Sequence, residues 1–173
     1  MPEEELIVNQ FYLLTDMMKN NGFEHYEISS FSKPGYRSKH NSSYWSGTTY
    51  FGFGPSAHSY FKVGSDEECR MWNISNNQLY IKSINEKVIP SNSEILTVNE
   101  KLNEYIMTGL RTWKGCDLEF IKDKYGLSYV KSLRKSAKEH LESKKIVEDD
   151  GHWFLSNKGK LFADQVIADL FII

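Results

Sequence analysis

Cysteine is scarce in this chain: Cys69 and Cys116 are the only two among 173 residues, and they form no metal-ligand pattern. No run approaches the roughly 18 apolar residues of a membrane span. The opening Met-Pro-Glu-Glu-Glu carries the wrong charge for a secretory signal. A reduced, cytosolic, soluble protein with no membrane span is therefore expected. No Walker loop, no HExxH and no Ser-His-Asp order occurs, and Asp16, Glu24, His25 and Glu27 are too scattered for an acid–base pair, so nothing supports hydrolysis and no catalytic residue is assigned. There are no internal repeats and no low-complexity tracts.

Acid is missing from one long stretch. Ile28 to Ser65 holds no Asp or Glu, but it contains Lys33, Arg37, Lys39 and Lys62 together with His40 and His58. It also contains nine of the 24 aromatic residues. Rings that stack beside cations that meet carboxylate or phosphate suit a flat anionic ligand. A β-rich core with incidental lysines would have the same composition. With 40% apolar and 25% charged residues, the chain can bury a core without a disulfide or a metal.

The first segment reads as a helix, with Pro2 in its first turn, Glu3, Glu4 and Glu5 at its positive end, and Ile7, Phe11, Leu14 and Met18 on one face. Asn20-Asn21-Gly22 ends it, and Phe23 to Ser30 reads as a strand, so this pair looks like half of a βαβ repeat. Residues 31–48 read as a long ordered loop, Thr49 to Phe53 and His58 to Phe61 as strands, and Asn77 to Ile84 as a short helix. Ile89 to Ser93 reads as a linker, which places a domain boundary after residue 90.

The second half predicts a helix opened by the Thr97–Glu100 capping box and stopped at Gly115. A short helix over 117–124 and a longer one over 128–143 come next. Ile146-Val147 and Trp153-Phe154-Leu155 then form a hairpin on the Asp150-Gly151 turn, and a last helix runs over 157–170. Three helices followed by a two-stranded wing is the order of a winged-helix domain. Lys131, Arg134, Lys135 and Lys138 would lie on its recognition helix, but Glu139 and Glu142 dilute that charge and Glu148, Asp149 and Asp150 make the wing acidic, so no nucleic-acid partner is expected.

Two local clusters carry chemistry. His40-Asn41-Ser42-Ser43-Tyr44-Trp45 could ligate haem iron or hold a propionate, or its polar groups could satisfy loop backbone. Gly52-Phe53-Gly54-Pro55-Ser56-Ala57 resembles a GxGxxA phosphate turn, but the strand-like residues after it argue against a dinucleotide fold and leave a close backbone approach to a ligand.

Gly22 to Ser29, Lys33-Pro34-Gly35, His40-Asn41-x-x-Tyr44-Trp45 and Gly52-x-Gly54-x-x-Ala57-His58 follow one another in order. Arg70-Met71-Trp72-Asn73, Glu104 to Arg111 and Lys158-Gly159 continue the series. This series resembles the oxygen-independent coproporphyrinogen III oxidase family of radical S-adenosylmethionine enzymes, and within it the HemW-type haem chaperones. The resemblance implies an α/β plus α architecture: residues 1–90 as the last segment of a partial (β/α) barrel, and 91–173 as a helical, winged-helix-like accessory domain.

The family's cluster-binding Cys-x-x-x-Cys-x-x-Cys is absent, so this polypeptide is expected to bind no 4Fe-4S cluster and to run no radical chemistry. Both the cluster and S-adenosylmethionine would belong to the full-length parent, whose family is one of oxidoreductases. Carried over, His40, Asn41, Tyr44 and Trp45 are haem-binding, with His40 on the iron. Gly52, Gly54 and Ala57 match the turn that lies by the S-adenosylmethionine pocket, and from the acid-free stretch Lys33, Arg37 and Lys39 are expected to contact the anionic groups. The partners implied are haem or porphyrin and the recipient haem proteins, and the strand edges of a barrel fragment could pair two copies.

Overall fold

The computed structural model describes residues 3–64 and 67–173, so the role expected for Pro2 lies outside the described residues. The protein is mixed α/β, with small sheets whose strand pairs are all antiparallel among these residues. It divides into two compact units, one formed by residues up to Trp45 together with Leu102–Ile173, the other by Ser46–Lys101.

The first unit opens with α1 (Glu4–Asn20), whose Glu4 and Glu5 lie in the first turn. Phe11 and Met18 are partly covered and Thr15 is buried, but Ile7 and Leu14 stay about half exposed, so the expected apolar face is only partly used. Gly22 turns the chain at φ +72° into β1 (Glu24–Glu27). The partner of β1 is the next strand, β2 (Ser30–Ser32), and not a parallel neighbour. The residues expected as one strand thus form the first arm of a tight hairpin.

The expected loop over 31–48 is corrected as well, because Lys39–Trp45 form a helix, α2. Ser38 caps it: its Oγ accepts from Asn41 N–H at 3.2 Å, and its carbonyl accepts from Ser42 N–H. The sequence His-Asn-Ser-Ser-Tyr has no apolar 3.6-residue period, and α2 buries no residue, which is why periodicity did not reveal it.

The second unit is a meander of β3 (His58–Val63), β4 (Glu67–Asn73) and β5 (Ser91–Ile95), with α3 (Asn77–Asn85) inserted between β4 and β5. Thr49 to Phe53 forms no strand and makes only an isolated bridge, Tyr50 to Tyr60. Residues 91–93, expected as linker, are strand: Ser93 pairs with Met71 and Asn92 with Trp72. Ser-Asn-Ser has low strand preference, and its pairing with β4 overrides it.

The main core belongs to the first unit. Leu102, Ile106 and Leu110, four residues apart on α4 (Val98–Leu110), form its spine. The capping box is formed: Thr97 Oγ1 accepts from Glu100 N–H, and Glu100 Oε2 accepts from Thr97 N–H at 2.7 Å. Around α4 pack β6 (Cys116–Asp117), α5 (Leu118–Tyr125), α6 (Leu127–Ser136), α7 (Lys138–Glu142) and the hairpin of β7 (Ile146–Asp149) and β8 (His152–Leu155).

The Asp150-Gly151 turn has φ +45° and +74°, as a two-residue hairpin turn requires. β6 adds a third strand beside β8 that the sequence did not announce. Each of the two long helices expected here is interrupted, the first at Ala137 and the second at Phe162, between α8 (Asn157–Leu161) and α9 (Ala163–Asp169). Gly109 is needed for close approach, since a Cβ there would lie 2.6 Å from the Gly115 carbonyl and 2.7 Å from Cys116 Sγ.

Candidate functional site

The His-Asn-x-x-Tyr-Trp spacing acquires its meaning from the helix. On α2, His40 and Tyr44 are four residues apart, and so are Asn41 and Trp45, which gives two adjacent rows on one side. The His40 and Tyr44 rings meet edge to face with centroids 5.1 Å apart. His40 and Tyr44 are exposed and Trp45 is half-buried. All four residues are thereby presented together by a short helix, where a loop would have left their mutual placement open.

Two arginines hold tryptophans in the same unit. Beyond α4 the chain runs antiparallel to β1: Ile28 N–H donates to the Arg111 carbonyl, Trp113 N–H donates to the Tyr26 carbonyl, and Glu27 bridges Thr112. Arg111 and Trp113 flank the bridging Thr112 in this turn. The Arg111 guanidinium lies 5.6 Å from the Trp45 ring, and that of Arg37 lies 4.0 Å from the Trp113 ring. Arg37 also donates from Nε and Nη2 to Glu24 Oε2, at 2.9 and 2.8 Å.

Of the other expected anion contacts, Lys33 reaches back to the end of α1, over the Phe23 ring and onto the Asn21 carbonyl, while Lys39 is exposed at the start of α2. Arg111 and Trp113 were not singled out from composition. The signal available was the Glu104 to Arg111 run.

The Gly52–Ala57 turn lies in the other unit. A Cβ at Gly52 would fall on the His58 carbonyl, so the close approach there is made by the chain's own β3. The turn is held by its surroundings: Gly52 N–H donates to Ser59 Oγ at 3.0 Å, Gly54 N–H to Tyr80 Oη at 3.2 Å, and Asn73 Nδ2 to the Gly54 carbonyl at 2.9 Å. Beside it opens a cavity of about 330 Å³ lined by Ser56, His58, Trp72, Asn73, Ser75 and Asn92 among others. His58, Trp72 and Asn92 are paired straight across the three strands, so they form one row of the sheet.

Cys69 and Cys116 are both buried free thiols, one in each compact unit, and burial pushes the Cys116 thiol up to about 12. These two residues do not fit the ligand set of an iron–sulfur cluster. Among the described residues, no three His, Cys, Asp or Glu side chains come together as a metal-holding group. No helix among them is long and apolar enough to cross a membrane.

Residues 96–162 match the HemN C-terminal domain, and the chain is homologous over nearly its full length to the C-terminal part of HemW haem chaperones. The haem chaperone HemW of Bacillus subtilis is 32% identical over 169 residues, 97% of this chain and 43% of that protein. HemW of Lactococcus lactis is 29% identical over 160 residues, 92% of this chain and 40% of that protein. This chain therefore spans about two-fifths of the length of these curated relatives. Among solved structures, the radical SAM enzyme coproporphyrinogen III oxidase (HemN) of Escherichia coli matches with a TM-score of 0.71 over 98% of this chain and 42% of that one. At 14% identity that match concerns the fold alone.

Proposed function

We propose that this chain is the haem-handling C-terminal part of a radical S-adenosylmethionine family haem chaperone, which takes up haem at α2 and passes it to recipient haem proteins in the cytoplasm. The observation that carries this reading is the side of α2 on which His40, Asn41, Tyr44 and Trp45 stand together. His40 would ligate the iron, the aromatic rings would stack on the macrocycle, and nearby cations would meet its propionates. The name of the HemW relatives supports the choice of cargo.

In this reading residues 1–90 descend from the end of a partial (β/α) barrel and 91–173 form a winged-helix-like accessory domain. The 4Fe-4S cluster and most contacts to S-adenosylmethionine would come from residues of the parent outside this chain, with Gly52, Gly54 and Ala57 shaping the border of that pocket. The chain by itself would catalyse no reaction.

Titration with haem, followed by the Soret band, tests the proposal. Saturable binding near one equivalent supports it, and a spectrum that stays that of free haem contradicts it. The fold shared with the Escherichia coli oxidase favours a second reading, oxidative decarboxylation in porphyrin synthesis. Anaerobic conversion of coproporphyrinogen III to protoporphyrinogen IX by the whole protein would decide for it. A salt-sensitive DNA mobility shift abolished by changes at Lys131 and Lys135 would instead mark a winged-helix binding module.

A further inference from the structure

We infer that Arg111 receives a carboxylate of the ligand that stacks at Trp45, and that Asp164 holds its place until the ligand arrives. The inference rests on the haem reading above and names which cation meets a propionate and what occupies it beforehand, both of which that reading leaves open.

Three observations on Arg111 lead there. Its guanidinium lies at the Trp45 ring, so a flat macrocycle resting on that ring would bring the acids along its edge within reach of the cation. Its backbone is fixed, because the carbonyl accepts from Ile28 N–H at 3.1 Å and the N–H donates to the Met107 carbonyl at 3.3 Å. Its donors are largely unclaimed: Nη1 donates to Asp164 Oδ1 at 2.8 Å, and the buried Nε–H meets no acceptor among the described residues.

The partner decides the matter. The Asp164 side chain is 89% exposed, so its carboxylate is nearly fully hydrated while it holds Arg111. Such a pair contributes little, and another carboxylate can replace Asp164 without stranding a buried charge. Arg37 differs. Two of its N–H groups converge on Glu24 Oε2, and that side chain is 37% exposed, so the pair is held more firmly and is the poorer exchange site. A guanidinium suits a planar carboxylate, and Asp164 takes only one of the Arg111 donors, through the single Nη1–Oδ1 contact.

The test compares haem with its dimethyl ester, which keeps the macrocycle and iron but lacks both acids. The wild-type chain should bind haem about tenfold or more tightly than the ester, and Arg111→Gln should lose most of that preference by weakening haem while leaving the ester affinity unchanged. Asp164→Asn, which removes the internal competitor without touching the core, should tighten haem and leave the ester unchanged. An Arg111→Gln chain that keeps the wild-type preference for haem overturns the inference and leaves the haem reading standing. An Asp164→Asn chain that binds haem more weakly overturns it too. A wild-type chain that takes up neither compound refutes the haem reading, and the inference falls with it.

Discussion

Arg134 and Glu148 are joined by two parallel hydrogen bonds, Nη1 to Oε2 at 2.9 Å and Nη2 to Oε1 at 2.8 Å. The pair ties α6 to β7, and the same carboxylate accepts from the indole of the fully buried Trp153 at 3.0 Å. The most strongly basic member of the helix that would enter a DNA groove is thus engaged within the fold, against an acidic wing. Lys131 and Lys135 on the same helix stay exposed.

Glu148→Ala strands the Trp153 N–H in the core and should cost about 1–3 kcal/mol, whereas Arg134→Met should cost only about 0–1 kcal/mol. The hydrogen bond from Arg134 holds the Glu148 carboxyl below its ordinary 4.5. Because the folded state binds this proton less readily than the unfolded one, the contribution is complete above that value and is lost as pH falls through the lower folded value. Urea unfolding of wild type and Glu148→Ala should accordingly differ most near neutrality, with a difference that narrows in acid to the part due to the Trp153 hydrogen bond.

Lys160 gives the opposite limb. Burial pushes its ammonium down to about 8, with the carboxylate of Glu27 acting against that shift. Between about 8 and the ordinary 10.5 the unfolded chain holds more protons at this site, so stability from this group rises with pH across that window. Lys160→Met should stabilise the chain at pH 7 by on the order of 1 kcal/mol, less any loss at Glu27, and the gain should shrink towards pH 10. Melting temperatures of the two chains at pH 7, 8.5 and 10 check it.

Gly109→Ala should cost about 1–3 kcal/mol, because α4 and the segment entering β6 approach too closely for a methyl group. An exposed control, Gly47→Ala, meets no atom within 4 Å, although its φ of +65° adds a local backbone strain of about 1 kcal/mol. Chemical denaturation of the two variants should rank them in that order.

Much of the second half was legible because its signals are local and agree with one another. Thr97 and Glu100 announce the start of α4, Asp150-Gly151 announces the hairpin, and Val130, Leu133 and Ala137 keep helical spacing into the core. The first half was less legible for physical reasons. α2 is held by a serine cap and buries nothing, and β5 is a polar run made strand by its pairing with β4. The spacing of His40, Asn41, Tyr44 and Trp45 was readable from the sequence. That they share one side of a helix was not, because it depends on Ser38, and the place of Arg111 beside Trp45 depends on a pairing with β1 more than 80 residues away in sequence.

The measurement that reaches the central claim most directly is a side-by-side haem titration of the wild-type chain and His40→Ala, read in the Soret region. Saturable binding is expected for the wild type, and in the variant a shifted band with affinity about tenfold lower, as loss of an iron ligand from an otherwise intact stacking platform requires. A variant that binds haem with the wild-type spectrum and affinity would contradict that claim.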